Sequence, residues 1–436
     1  MAEMARRSKA LPLRVETCRM QHYGYKIDHY LDFVIENIQR IESVDLAWLN
    51  HSVKPNVIGE APILRELHIV DGTLHSLPVP PALETLRLYE GFKLKPFWTF
   101  ICGIPGLRRL ELYGVKLPRN VAELFSQFSS LEYLVLSKLE RDRNINALLK
   151  LDLSASRDIS LPNLKLLSVK INSRGIVTCN LLSRFLLLPS TKVAILADYL
   201  AQIFDEVENN VEFVAHSISR ALFSSEGTEF STVALEITQN VIIFKGWWTA
   251  PTPPMHQHIG NRLAEHVERP DFFFRTYLLE GEDHVIEGLM RQFNLARVAS
   301  LMVETSLNDE STLLSVPSWA RILQRIESVT SLYCRGIGIE RLLDSLGVRQ
   351  YEYERGERIV LPHLRKVFVS EDPYYSSWPY RSRPAFETLE RFAKRRQSLD
   401  DALDFVSYYA GRPQASDMET LQSLVLELDT SGTLWK

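Results

Sequence analysis

The chain has 436 residues, 45% of them hydrophobic and 24% charged, with a formal net charge of −4. That balance is ordinary for folded protein and excludes disorder over most of the length. A near-neutral, slightly acidic chain is not built as a dedicated nucleic-acid surface, and no run reaches the roughly 18 apolar residues a membrane helix needs.

Residues 1–20 carry charge but no apolar stretch of signal-peptide length, and Cys18, Cys102, Cys179 and Cys334 form no CxxC pair. Structural disulfides and a zinc knuckle are therefore not expected, and the expected compartment is the cytoplasm or nucleus. Ile27, Tyr30, Leu31, Val34 and Ile38 put one apolar stripe on a helix over about 28–40. A short phrase then begins to recur, two leucine-like residues three apart and a third two further on. It reads Ile41-Val44-Leu46, Leu64-Leu67-Ile69, Leu83-Leu86-Leu88, Leu107-Leu110-Leu112, Leu131-Leu134-Leu136 and Leu164-Leu167-Val169. The first four intervals fit a repeat of about 20–29 residues, and the longer fifth one requires an insertion over 141–159. Such a phrase is the strand unit of a leucine-rich repeat, in which each copy buries its apolar residues against its neighbours.

The connectors differ in kind. Val121, Leu124, Phe125 and Phe128 predict a helix soon after Pro118, whereas the prolines of 76–81 predict an extended turn. Over 191–246 the pattern changes. A strand is expected near Val193 to Leu196 and a helix over 211–222. Two β-rich runs, 232–238 and 241–247, flank Gln239-Asn240 as a hairpin. The proline-rich stretch 249–256 has two readings, a break in the array or a loop on a continuing sheet, because the strand phrase resumes at Val298-Leu301-Val303. Further copies are Val329-Leu332-Cys334, Leu364-Val367-Val369 and Leu421-Leu424-Leu426. Leu361-Pro362 ahead of Leu364 echoes Leu161-Pro162 ahead of Leu164, which points to one repeat family throughout. Trp319, Ile322, Leu323 and Ile326 predict one helix, Leu342, Leu343 and Leu346 a second, and 386–396 a third. The last ends in Lys394-Arg395-Arg396, expected as a solvated basic end that suits the helix dipole.

The expected fold class is thus α/β: a curved leucine-rich-repeat-like solenoid with a mostly parallel sheet and irregular helical or extended connectors. Residues 1–40 are a linker strand and capping helix, and 41–436 the solenoid. Strand side chains alternate, so residues between the leucines share the open face. In register they form three columns: Glu66, Thr85, Arg109, Tyr133; His68, Arg87, Glu111, Val135; and Val70, Tyr89, Tyr113, Ser137. At about 4.8 Å between strands, Arg87 reaches Glu111 and Tyr89 packs on Tyr113. Charges mixed with aromatics suit a protein-binding face, and the same pairs would equally serve to hold the sheet together. A second candidate is the loop bearing Tyr374, Tyr375, Trp378 and Tyr380, residue types favoured as interface anchors; folding back over the sheet is the alternative. Trp247-Trp248 is read as core.

Signatures of catalysis are missing: no GxSxG elbow, Walker loop, GxGxxG or HExxH. His256 and His258 alternate to opposite sides of an extended chain with no cysteine or carboxylate near in sequence, so no metal or cofactor is expected.

The stretch Ser8-Lys9-Ala10-Leu11-Pro12-Leu13-Arg14-Val15, the helix after it and Ile41-Glu42-Ser43-Val44-Asp45-Leu46 resemble the segment joining the F-box to the repeats in F-box proteins of mushroom-forming fungi. The phrases at Leu64, Leu83, Leu361 to Val369 and Leu421 are similar to that family's degenerate leucine-rich tail. The resemblance implies a non-catalytic target-recognition subunit of an SCF-type ubiquitin ligase, its tail gripping a protein target. The three-helix F-box, usually opening Leu-Pro-x-Glu, normally precedes this segment. Here the segment starts within ten residues of Met1, so the module is expected to be absent. Docking on a ligase adaptor is then expected only of a full-length form that carries it. The competing readings are a hydrolase-like enzyme with a site built from loops around 251–258, and a degenerate structural copy with no partner.

Overall fold

The computed structural model describes residues 7–8, 11–16, 27–47, 61–70, 79–89, 94–118, 121–139, 158–171, 176–198, 210–223, 229–238, 241–250, 270–277, 283–306, 314–336, 338–346, 350–352, 356–358, 360–370, 384–399, 401–409 and 415–429. The chain is mixed α/β and divides into two compact units, Met1–Ala194 and Ile195–Lys436. Sixteen strands belong to the main, mostly parallel sheet.

In the first unit the elements are β1 (Leu13–Val15), α1 (Ile27–Asn37) with a 3₁₀ turn to Arg40, β2 (Ile41–Ala47), β3 (Glu66–Val70), β4 (Thr85–Tyr89), α2 (Leu94–Cys102), β5 (Arg109–Tyr113), α3 (Val121–Phe125), β6 (Tyr133–Ser137), β7 (Ile159–Ser160), β8 (Leu166–Ile171), α4 (Ile176–Leu182) and β9 (Phe185–Leu186). The dividing point falls inside β10 (Lys192–Ala197). Strands β1 to β6 and then β8 lie side by side in chain order, all parallel, while β7 and β9 form a separate small ladder.

Each strand phrase fills one rung. Leu64, Leu83, Leu107, Leu131 and Leu164 sit just ahead of their strands, and they and both strand leucines behind them are almost entirely buried. A turn sets the approach. Leu64 N–H donates to Ala61, Leu83 to Pro80, Leu131 to Phe128 and Leu164 to Leu161, so in these four rungs an apolar residue three before the phrase closes the bend. The residue after the first leucine then holds the next rung. The carbonyl of Arg65 accepts from Glu84 and Thr85 (2.9 and 2.8 Å), that of Glu84 from Arg108 and Arg109 (2.8 and 3.0 Å), and that of Arg108 from Glu132 and Tyr133 (2.8 and 2.9 Å). Spacing in the phrase therefore fixes both burial and register. A fully buried leucine is worth about 1.5–3 kcal/mol relative to exposure, so slipping one rung forfeits several.

The second unit runs α5 (Asn210–Leu222), β11 (Thr232–Thr238), β12 (Val241–Trp247), β13 (Phe272–Tyr277), α6 (Asp283–Gln292), β14 (Ser300–Ser306), α7 (Val316–Leu323), β15 (Ser331–Gly336), α8 (Ile339–Leu346), β16 (Gln350–Glu352), β17 (Gly356–Arg358), β18 (Lys366–Ser370), α9 (Pro384–Ser398), β19 (Leu403–Tyr409), α10 (Ala415–Gln422) and β20 (Val425–Asp429). Its strand order is β10-β13-β12-β11-β14-β15-β18-β19-β20, with β16 and β17 apart as a small hairpin. Here β11, β14, β15, β18, β19 and β20 are parallel, and β12 pairs antiparallel with both neighbours. The hairpin across residues 239–240 forms as its sequence predicts, with Thr238 opposite Val241. Carbonyls again hold successive rungs, Ala299 accepting from Thr330 and Ser331, Thr330 from Arg365 and Lys366, and Arg365 from Asp404 and Phe405. The proline echo has its counterpart in geometry: Leu164 donates to Leu161 and Leu364 to Leu361, both at 3.1 Å. Ser315 caps α7 by accepting from Ser318 N–H, with proline in the first turn.

Three expectations need correction. Leu421-Leu424-Leu426 is not a rung: Leu421 belongs to α10, and β20 pairs Leu403 with Val425 and Val406 with Leu428. Leu426 is 75% exposed, because the register places Val425 and Leu428 in the rung and sets Leu426 beside the exposed Asp404. Two true rungs lack the leucine spelling. Phe230-Val233-Leu235 and Leu403-Val406-Tyr408 are both buried, and Val233 and Val406 stand opposite Leu301 and Val367. Finally, Arg396 is not part of a solvated helix end. It is 1% exposed and its guanidinium donates to the carbonyls of Leu361 (3.0 Å), Leu364 (2.8 Å) and Asp401 (3.1 Å), pairing also with the Asp401 carboxylate. Burial pulls its pKa below the ordinary guanidinium value. The arginine thus ties α9 to the turn and strand entry of the preceding rung.

Candidate recognition face

On the first unit the three outward columns stand in the register that their spacing predicts. Glu66, Thr85, Arg109 and Tyr133 are successive partners, as are His68, Arg87, Glu111 and Val135, and Val70, Tyr89, Tyr113 and Ser137. The rows extend to Ser43 and Asp45 on β2 and to Leu166, Ser168 and Lys170 on β8. Every strand contributes one residue per row because parallel in-register pairing places like positions side by side.

Glu111 is the centre of this face. Its side chain is 6% exposed, while Arg87 and Arg109 are 40% and 41% exposed. Glu111 Oε1 lies 2.6 Å from Arg109 Nε and 3.2 Å from Arg87 Nε, and Oε2 accepts from Tyr113 OH at 3.0 Å. A buried carboxylate is costly unless paired, and here it is held from three sides. Burial first and the Glu111 charge second raise the Tyr113 pKa well above the ordinary phenol value. Arg87 Nε sits at ion-pair distance without a hydrogen bond among the described residues.

Tyr89 and Tyr113 stack at 4.1 Å and 8°, and His68 closes the stack at 4.8 Å from Tyr89. His68 Nδ1 is 3.3 Å from Asp45 Oδ1, and Arg109 lies over the Tyr133 ring at 5.7 Å. Glu66 accepts from Ser43 Oγ at 3.2 Å. Glu66, His68, Arg87, Tyr89, Arg109, Tyr113 and Tyr133 are all half-buried, so they both pack on one another and present atoms to solvent.

The matching face of the second unit has other contents. Ala234, Met302, Tyr333, Phe368 and Ser407 align in register and are all buried, with Tyr333 and Phe368 stacked at 4.3 Å and 9°. Beside them Lys245 pairs with Glu236, which stands opposite Glu304. Trp247 is buried, and Trp248 stacks on Phe230 at 4.4 Å. Tyr374, Tyr375, Trp378 and Tyr380, and His256 with His258, lie outside the described residues. Among the described residues no three or more His, Cys, Asp or Glu side chains gather as a metal site, and no helix is long and apolar enough to cross a membrane. Cys179 and Cys334 are buried, and desolvation pushes the Cys179 thiol up to about 12, which makes it a poor nucleophile.

A second charge pattern runs along the same strands. The residue after the first leucine of each phrase runs Glu42, Arg65, Glu84, Arg108, Glu132, Lys165, one alternating charge per rung. Arg14 lies 3.5 Å from Glu42, and Glu132 is 3.7 Å from Arg108 and 2.6 Å from Lys165.

No family model matches the chain, and no curated protein matches it. Among solved structures, the crystal structure of a Bacteroides fragilis protein from a structural-genomics programme is similar over 80% of this chain, with 8% identity and a TM-score of 0.26. The chain covers 66% of that protein's length, and a likeness of this size carries no argument about fold or function.

Proposed function

We propose that this chain is a non-catalytic protein-recognition scaffold, a leucine-rich-repeat-like array related to the target-binding region of F-box subunits of SCF-type ubiquitin ligases. The observation that supports it is the first unit's outward face, where charged and aromatic residues from four successive strands stand in register and half-exposed. Repeat arrays supply extended surfaces of this kind, with specificity written between the buried leucines. The partner is a protein, met in the cytoplasm or nucleus. Nucleic acid, membrane and cofactors have no part in this reading. Adaptor docking belongs to a full-length form that carries an F-box.

Affinity capture of the intact protein from its native cells tests the proposal. Wild type should recover one dominant client, and Arg87→Glu with Arg109→Glu should lose it while the chain stays folded, with a melting temperature lowered because Glu111 loses both arginines. Equal capture by the variant refutes the assignment of this face.

A further inference from the structure

We infer that the first unit's face recognises an unphosphorylated acidic segment of its protein partner, with a partner carboxylate between Arg87 and Arg109 and an aromatic side chain against Tyr89 and Tyr113; the inference rests on the scaffold reading above.

The charge arrangement supplies the first half. Arg87 and Arg109 share one carboxylate, Glu111, so the three groups carry one net positive charge. That charge is outermost, since both guanidinia are about 40% exposed and Glu111 is 6% exposed. Arginine carries five N–H donors in a planar fork. Arg87 Nε is buried and faces Glu111, so the donors offered to an incoming acceptor are those of the exposed remainder of the side chain. A carboxylate matches this in charge and shape. A phosphate dianion does not, because its second charge would have nothing to balance it and would face Glu111.

The second half comes from the neighbouring row. Tyr89 and Tyr113 form a stacked, half-buried pair whose rings are fixed by each other, by His68 and by the Tyr113 to Glu111 hydrogen bond. Fixed aromatic rings lose little entropy on binding and favour aromatic partners. The tyrosine row is two residues along the strand from the Arg87 row, roughly 7 Å. An extended partner segment spans that distance between residues i and i+2. The recognised element is therefore an Asp or Glu two positions from an aromatic residue.

The experiment uses the full chain and a phage-displayed library of random dodecapeptides. Selection on wild type should enrich Asp or Glu two positions from Trp, Tyr or Phe. A fluorescent peptide of the enriched sequence should bind about tenfold or more weakly when its acid is changed to the amide, and weaken as salt rises, as a solvent-accessible ion pair does. Arg87→Glu with Arg109→Glu should reject that peptide and accept its Lys counterpart, which a merely structural role cannot produce. Glu111→Gln, which adds one net positive charge, should keep or tighten acidic-peptide binding. Enrichment without an acid, binding that requires phosphoserine, or peptide binding unchanged in the double variant overturns the inference. If wild type captures a cellular client and the double variant captures it equally, the client lies elsewhere and this face assignment falls. If wild type selects no peptide and captures no client, the scaffold reading falls with it.

Discussion

Between the two buried strand residues of each rung, the first unit places Asp45, His68, Arg87 and Glu111, and the second places Ala234, Met302, Tyr333 and Phe368. The inward residues are alike in both, and so are the carbonyls that brace successive rungs. The outward row is free to differ, because alternation separates the two faces chemically. One unit spends that freedom on half-exposed ion pairs and stacked tyrosines, the other on a buried row of apolar and aromatic side chains. The charge following the first leucine differs too. It alternates in sign through the first unit but reads Ser231, Ala299, Thr330, Arg365, Asp404 in the second, charged only in its last two rungs. Opposite charges on adjacent rungs favour the chain-order pairing, and a skipped rung would set like charges side by side. The second unit instead pins its rungs with features that tolerate little change, including Arg396 and Gly336.

That contrast makes the two units respond differently to substitution. The largest effect belongs to Arg396→Ala, which removes a buried guanidinium from the Leu361 and Leu364 carbonyls and leaves the Asp401 carboxylate with Arg365 alone. Urea denaturation should show a loss of about 3–5 kcal/mol, the range for breaking a buried charged network. Arg109→Ala in the first unit, with its guanidinium half in water, should cost under about 1 kcal/mol. Leu110→Ala and Leu332→Ala remove equivalent inward side chains and should each cost about 2–5 kcal/mol. Similar losses would uphold the shared rung, and a near-neutral result at either site would break it. Gly336 has φ +110 and a Cβ there would come within 1.7 Å of the Thr305 carbonyl oxygen. Gly336→Ala should therefore cost about 1–3 kcal/mol through overpacking, with backbone strain added.

The smallest effect is in acid. Hydrogen bonding from Lys165 holds the Glu132 carboxyl below its usual range, and hydrogen bonding from Arg321 does the same for Glu287. Groups with depressed folded values stabilise the protein above their ordinary pKa and lose that contribution as pH falls through the folded one. Stability should thus decline on acidification below about pH 4.5, the ordinary glutamate range. Glu132→Gln and Glu287→Gln should each flatten that decline slightly in thermal melts.

Much of this architecture was legible because leucine spacing encodes both strand and register. The three outward columns, the Arg87–Glu111 pair and the Tyr89–Tyr113 stack follow from counting alone. The β11 rung was hidden because its entry residue is Phe230, and the β19 rung because Tyr408 replaces its last leucine; shape rather than residue type satisfies the position. The opposite error at Leu426 arose because the strand register puts Val425 and Leu428 in the rung and leaves Leu426 beside the exposed Asp404, which leucine spacing alone does not show. Arg396 was illegible in principle: a basic run at a helix end looks solvated until the fold brings the carbonyls of 361 and 364 against its guanidinium. The burial of Met302, Tyr333 and Phe368 was likewise outside the reach of spacing, which assigns a face but not what that face meets.

Hydroxyl-radical footprinting of the full chain, alone and saturated with its captured client, tests the recognition claim most directly. The account predicts that Tyr89, Tyr113 and Tyr133, half-exposed in the free chain, become protected in the complex, while Tyr333 stays unreactive in both. Protection confined to residues of the second unit, with the three tyrosines oxidised as before, would contradict it.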